Sequence, residues 1–331
     1  MTARLSDAAV GRLRSAASWP DVPPERYAVR ALIGRGGMGS VFEAYDQRLG
    51  RNVAIKVSNA AVPGTGLDAR LRQESVVLGR LEHPGIVPVH DAGELADGRW
   101  YYVMKLVRGQ TLTEHVATLD GEAAMLGVFE RLADTVAFAH ANGVIHRDLK
   151  PSNIMVGSFG EVLVLDWGVA KILKETPLAD GGAEPHDGQA PARDATASGT
   201  RVGTPGFMAP ELQRGDAVSA GPAADVFSLG ALLFWVLTGR PAPDAGDEAG
   251  RQLAALATPP SRRLKAVILK CLSPDAGDLV ADLARYRAGL PVTAHPEGLI
   301  ERTWRWLGRY QTFILLVLAY LVMRTLFAWL R

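Results

Sequence analysis

Apolar positions recur with two different periods along this chain. Between residues 27 and 57, short β-branched runs at 28–33, 41–45 and 53–57 are separated by glycine-rich or polar turns, which predicts three strands. The period then changes. Leu71, Val77, Leu78 and Leu81 recur with charged residues between them, and this predicts a helix over 67–81. Strands are predicted again at 86–90 and 100–106. After Gly109 the pattern turns helical, over 111–118 and then 122–142. Strands first and helices afterwards imply an α+β fold in two lobes, a small β-rich one carrying a single helix and a larger helical one.

Three stretches stand apart from that pattern. Residues 1–26 read as a leader ending in Trp19-Pro20-Asp21-Val22-Pro23-Pro24, where paired prolines resist helix and favour an extended linker. Residues 174–200 are rich in Gly, Ala, Pro, Asp and Thr with almost no large apolar side chain, the composition of a long loop. Residues 312–330 are apolar over about the length a bilayer needs, with Arg324 as their one charge. Trp304, Arg305, Trp306, Arg309 and Tyr310 precede them and suit a cytoplasmic headgroup layer. The expectation is a single transmembrane helix at 312–330 behind a juxtamembrane segment at 293–311. A buried, dimer-forming or interfacial helix is the alternative.

Composition narrows the classes without choosing one. The 331 residues suffice for two lobes and tails, and 48% hydrophobic with 21% charged residues is an ordinary globular mix. A net charge of +1 gives no reason to expect a nucleic-acid partner. Cys271, the single cysteine, rules out a disulfide within the chain and reads as a buried apolar residue rather than a nucleophile. The first residues, MTARLSDAAVGRLR, lack an apolar run of signal-peptide length, so the main domain is expected in the cytoplasm, anchored at the cell membrane.

Chemistry-bearing motifs then fall on the predicted elements. Gly34-Arg35-Gly36-Gly37-Met38-Gly39-Ser40-Val41 is a GxGxxGxV run, and residues without a Cβ let backbone N–H groups approach phosphates. A strand rather than a helix follows it, which favours a phosphate-covering hairpin over a dinucleotide site. Val53-Ala54-Ile55-Lys56 sets one lysine in an apolar strand, and Glu74, midway along the next helix, is its expected ion-pair partner. His146-Arg147-Asp148-Leu149-Lys150-Pro151-Ser152-Asn153 is the densest signal, and an apolar strand ending in Asp166-Trp167-Gly168 follows it. Asn153 and Asp166 offer the oxygen donors that Mg²⁺ prefers.

This set resembles the eukaryotic-like protein kinases over about residues 27–292, with a small lobe at 27–107, a large lobe at 108–292 and an activation segment at 166–211. GRGGMGSVFEAYD, HPGIVPVHD, HRDLKPSN and GTPGFMAPE are similar to bacterial Ser/Thr kinases, and YRAGLPV with ERTWRW before an apolar segment is similar to their membrane-linked members. The resemblance implies an enzyme that uses ATP and Mg²⁺ to phosphorylate serine and threonine hydroxyls of proteins. Gly34, Gly36 and Gly39 would cover the triphosphate, and Lys56 held by Glu74 would bind its α- and β-phosphates. Val41, Ala54 and Met155 would sandwich adenine, with Met104 behind it and Lys105 to Val107 as the hinge. Asp148 would accept or orient the hydroxyl proton, Lys150 would support the transferring phosphoryl, and Asn153 and Asp166 would hold the metal. Thr204 is expected near Asp148 and Lys150, and Asp225 beneath the catalytic loop, where a helix N-cap is its bland reading.

Arg147 resembles the arginine of kinases switched by activation-loop phosphorylation, with Thr196, Ser198 and Thr200 as candidate acceptors and a homodimer as the means of trans-autophosphorylation. Two departures mark this chain. Trp167 replaces the family's phenylalanine and is expected to stack between His146 and Leu78. The arginine that usually pairs with the Glu of APE is missing after Cys271, so with Glu211 expected to be buried, either Arg263 or Arg285 substitutes or the lobe is looser than usual. The irregular large lobe keeps open a membrane-tethered scaffold that binds partners without phosphoryl transfer, whereas the APE segment and the long activation loop argue against the other alternative, a small-molecule kinase of related fold.

Overall fold

The computed structural model describes residues 19–59, 66–119, 121–168, 170–172, 204–216, 220–243, 246–273, 279–288, 290–295, 320 and 322–324. Five antiparallel strands open the structure: β1 (Tyr27–Arg35), β2 (Gly39–Asp46), β3 (Arg51–Ser58), β4 (Val89–Glu94) and β5 (Trp100–Lys105), in the order β1-β2-β3-β5-β4. Between β3 and β4 the chain forms α1 (Gly66–Arg80), whose Leu71, Val77 and Leu78 are buried. One face of the sheet closes over a core of Val22, Tyr27, Phe42, Val53, Ile55 and Val103. Val22 belongs to the expected leader, yet it is 4% exposed in this core.

The larger lobe begins with β6 (Gly109–Thr111) and α2 (Leu112–His115), followed by a 3-10 turn, Val116–Thr118. Thr111 and Glu114 form a reciprocal capping box that starts α2. Next comes α3 (Gly121–Ala141), where Phe129 and Leu132 are fully buried, each burial stabilising by on the order of 2 kcal/mol. Strands β7 (Val144–Ile145), β8 (Ile154–Gly157), β9 (Val162–Val164) and β10 (Lys171–Ile172) pair as β6-β8-β9 and β10-β7. Helices α4 (Pro210–Gln213), α5 (Pro222–Thr238), α6 (Gly246–Ala254), α7 (Arg262–Cys271) and α8 (Leu279–Arg287) complete it. Helix α5 is apolar nearly all round and lies in the core. Pro222 starts it, and Gly239, in the left-handed region at φ 68°, ends it with its N–H on the Trp235 carbonyl.

The two-lobed α+β architecture agrees with the sequence reading, and the differences are local. The strand expected at 86–90 runs instead as Val89–Glu94, and Ile86 makes only an isolated bridge to Val164. Pro84 and Pro88 have no N–H to give a ladder. Gly85 presses against α3 so closely that a Cβ there would fall inside the Thr135 side chain. The loop at 174–200 lies outside the described residues. So does the span expected at 312–330, apart from Tyr320 and residues 322–324, which are helical and exposed. Among the described residues no helix is long and apolar enough to cross a membrane.

Candidate active site

A cleft of about 350 Å³ opens between the lobes. Its lining contains Gly34, Gly36, Gly39, Val41, Ala54 and Lys56 from the small lobe. Met104, Lys105 and Val107 line its back and hinge, and Asn153, Met155 and Asp166 its floor. Every nucleotide- and metal-site residue expected from the sequence therefore borders one space, of a size that fits a small ligand.

The roof follows from strand pairing. Strand β2 runs against β3 with Gly39 opposite Ser58 and Val41 opposite Lys56. A Cβ on Gly39 would stand 2.7 Å from the Val57 carbonyl oxygen, so glycine is required there for β2 to close on β3. The turn itself is tied by Gly36 N–H to the Gly39 carbonyl at 2.9 Å. Asn59, which the sequence reading passed over, donates to the Gly36 carbonyl at 2.9 Å and accepts from the Ser40 hydroxyl at 2.8 Å.

Beneath the roof lies a buried charge cluster. Lys56 Nζ donates to both Glu74 oxygens at 2.8 Å and to Asp166 Oδ1 at 3.2 Å. Lys56 is 8% exposed and Glu74 1%. Burial alone pulls the Lys56 ammonium downward, but Glu74 and then Asp166 outweigh it and hold its pKa above the ordinary lysine value. Burial likewise pushes Asp166 upward, and Lys56, His146 and Lys150 together bring it below the usual carboxylate range. Burial pushes the Glu74 carboxyl upward against the pull of Lys56, so one ammonium serves two carboxyl groups shifted in opposite directions. Tyr102, also missed in the sequence, adds a phenol that donates to Glu74 Oε1 at 3.0 Å.

A second group stands beside the cleft. Lys150 Nζ donates to Asp148 Oδ2 at 2.7 Å and Thr204 Oγ1 donates to Asp148 Oδ1 at 3.2 Å. Asn153 Nδ2 donates to the Asp148 carbonyl at 2.9 Å, which turns its amide oxygen the other way. Thr204 lies near Asp148 as expected.

The backbone here is strained and braced. Arg147 (φ 67°) and Asp166 (φ 58°) both occupy the left-handed region, rare for residues with a Cβ. Asp225, fully buried, accepts from the His146 and Arg147 backbone N–H groups, each at 2.8 Å, and from His140 Nε2 at 2.8 Å. It braces the loop as expected, but it is not an N-cap. Gly221 holds that position and Asp225 sits within the first turn of α5. His146 meets the Leu165 carbonyl through Nε2 at 3.0 Å and the Asp148 N–H through Nδ1 at 3.2 Å, which holds the ring in one orientation.

The two departures take forms the sequence did not suggest. Trp167, 1% exposed, meets His146 edge-on, with centroids 4.7 Å apart and planes at 60°, rather than stacking. Its indole N–H needs an acceptor when buried and finds the Val164 carbonyl at 3.2 Å, which sets the ring's tilt. Glu211 is only partly buried, so the expected penalty for an enclosed charge does not arise. Neither named arginine pairs with it: Arg263 lies over the Tyr286 ring at 5.3 Å, and Arg285 is exposed. The candidate phosphate acceptors Thr196, Ser198 and Thr200 lie outside the described residues.

Two lobes thus enclose a lysine–glutamate–aspartate cluster, with a second aspartate on a strained loop beside it. Residues 27–294 match the family model described as the protein kinase domain, and the chain belongs to that family. It is 36% identical to the serine/threonine-protein kinase PknB of Mycobacterium tuberculosis strain H37Rv, over 82% of this chain and 44% of that protein. It is 34% identical to the probable serine/threonine-protein kinase PknB of Bifidobacterium longum, over 81% of this chain and 41% of that protein. With the serine/threonine-protein kinase PknD of Protochlamydia amoebophila it shares 37% identity over 64% of this chain and 23% of that protein. The chain spans less than half the length of each of these relatives.

Proposed function

We propose that this chain transfers the terminal phosphoryl group of ATP to serine and threonine hydroxyls of proteins. The observation that carries this reading is the Lys56 ammonium shared between Glu74 and Asp166 inside the glycine-roofed cleft. Gly34, Gly36 and Gly39 cover the phosphates, and without Cβ atoms they let the backbone of the roof lie close over them. Val41, Ala54 and Met155 enclose the adenine, Met104 lies behind it, and Lys105 to Val107 supply the hinge. Asp148 accepts the proton of the attacking hydroxyl, while Lys150 and Thr204 hold its two oxygens in place. Catalysis is then positioning and charge neutralisation without a covalent enzyme intermediate.

The donor set fits a hard divalent cation such as Mg²⁺. Asp166 stays ionised, and the Asn153 amide oxygen is left available because its nitrogen is committed to Asp148. When bound there, the cation would neutralise charge on the phosphates.

Finer features of the reading rest on the sequence. The apolar stretch 312–330 behind its Trp- and Arg-rich flank supports a single-pass membrane anchor with the kinase domain on the cytoplasmic side. Phosphorylation of Thr196, Ser198 or Thr200, in trans within a homodimer, would regulate activity through Arg147. Retention of the full chain in carbonate-washed membranes, and its release on deletion of 312–331, tests the anchor.

The decisive experiment incubates the full chain with labelled ATP and Mg²⁺ beside Lys56→Met and Asp148→Asn, followed by phosphoamino-acid analysis. Label on serine and threonine that disappears in both variants is the expected result. Label that survives in both variants, or a folded, ATP-binding parent that transfers nothing, would overturn the reading.

A further inference from the structure

Strand β5 turns two aromatic donors toward α1. Alternation along a strand places Trp100 and Tyr102 on one face, and the β3–β5 register sets Tyr102 directly opposite Lys56. Trp100 donates from Nε1 to Ser75 Oγ at 3.3 Å and from its backbone N–H to Asp68 Oδ1 at 3.2 Å. The Arg72 guanidinium lies over its ring at 5.1 Å. Tyr102, 1% exposed, donates its phenol to Glu74 Oε1 at 3.0 Å. The sheet therefore grips α1 at Asp68, Arg72, Glu74 and Ser75, on successive turns.

Apolar packing of Leu71 and Leu78 alone would hold α1 against the core without fixing its rotation, because burial is non-directional. A hydrogen bond from a neutral donor to a carboxylate is directional and stronger than one between neutral groups. The Lys56 ammonium also has a choice, since Glu74 and Asp166 both approach it. A second donor on Glu74 Oε1 fixes where that carboxylate stands when the ammonium meets it. We propose that Tyr102, supported by Trp100 two residues earlier, is a positioning residue that clamps α1 to the small-lobe sheet and holds the Lys56–Glu74 pair in its working geometry. The phenol is a permanent donor, because burial and Glu74 push its pKa well above the ordinary tyrosine value. The clamp acts from inside the small lobe, through side chains of β5 and α1.

This inference rests on the kinase reading of the site, and its test separates the two. The variant is Tyr102→Phe in the full chain, which keeps the ring and removes only the donor. The assay is phosphorylation of dephosphorylated casein with varied MgATP, with Asp148→Asn as control. Expected are a fall in kcat of about tenfold, a KM for ATP moved by less than about twofold, and an unfolding midpoint lowered by several degrees, as the loss of one buried charge-assisted bond requires. In a Glu74→Ala background, Tyr102→Phe should cost no further turnover. Wild-type kcat in Tyr102→Phe beside an inactive Asp148→Asn overturns the clamp and leaves the kinase reading standing. Full activity in Asp148→Asn sinks the kinase reading instead. A readout independent of turnover closes the test: amide hydrogen exchange across residues 71–78 should quicken about tenfold in Tyr102→Phe. Unchanged exchange there overturns the clamp whatever the activity.

Discussion

Asp225 receives the backbone N–H groups of His146 and Arg147 on separate oxygens, each at 2.8 Å. Arg147 has φ 67°, a conformation costing on the order of 1–3 kcal/mol for a residue with a Cβ, and the two charge-assisted bonds offset that cost. The strain turns the chain so that Asp148, one residue on, faces Lys150 and Thr204. A buried carboxylate in α5 thus determines where the proposed base stands.

Replacing that carboxylate should separate stability from turnover. Asp225→Ala strands three buried donors, from His140, His146 and Arg147, and should lower unfolding free energy by about 3–5 kcal/mol. Asp225→Asn keeps the volume but turns one N–H toward another donor. It should fold and lose about tenfold in kcat with little change in KM for ATP, since the cleft lining does not include Asp225. Denaturant titration and steady-state kinetics check both.

The roof predicts the opposite kinetic signature. In Gly39→Ala the new methyl carbon would meet the Val57 carbonyl oxygen at 2.7 Å, and that oxygen belongs to the β3 backbone, which cannot step aside. Strand β2 must lift from β3, raising the phosphate cover. The KM for ATP should rise about tenfold or more with kcat less affected. Gly37→Ala, where an added Cβ meets nothing within 4 Å, is the matched control and should stay near wild type.

What the sequence made legible follows from how local each signal is. Lys56, Asp148, Asn153 and Asp166 announce themselves by neighbours in the chain, and Glu74 by its place on the helix that follows. Tyr102 did not, because a tyrosine in an apolar strand reads as core until the register sets it opposite Lys56. Asn59 lies one residue past β3 and gained meaning only when the turn at Gly36 folded back on it. The strand expected at 86–90 forms at Val89–Glu94 instead, because Pro84 and Pro88 have no N–H to give a ladder. The expected burial of Glu211 came from the family resemblance, and its only partial burial is set by tertiary packing that no local signal carries.

Cys271 carries a pH prediction. Burial pushes its thiol up to about 12, with Asp282 adding to the rise. At pH 8 a group with that pKa is ionised in about one molecule in ten thousand, so aromatic disulfide reagents should fail to label the native protein and should label it fully in denaturant. The sign for stability follows: above about pH 9 the unfolded thiol ionises while the folded one stays protonated. Stability should therefore fall as pH rises from about 9 toward 12, and Cys271→Ser should flatten that part of the curve. Rapid labelling of native protein at pH 8 would contradict the assignment.

Trp167 tests whether its ring matters for chemistry or for packing. Its indole N–H is committed to the Val164 carbonyl, the last residue of β9, two residues before Asp166. Trp167→Phe removes that bond, frees the ring to stack on His146, and leaves a small void among Leu78, Val164 and Ala170 in the core they share. The lost hydrogen bond and the void should together cost about 2–3 kcal/mol. Asp166 keeps its own fixings, the Lys56 contact and a left-handed backbone, and neither depends on the indole nitrogen. Trp167→Phe should therefore unfold several degrees earlier yet keep kcat and KM for ATP within about threefold. A large loss of turnover without loss of stability would mean instead that the indole bond itself holds Asp166 in place.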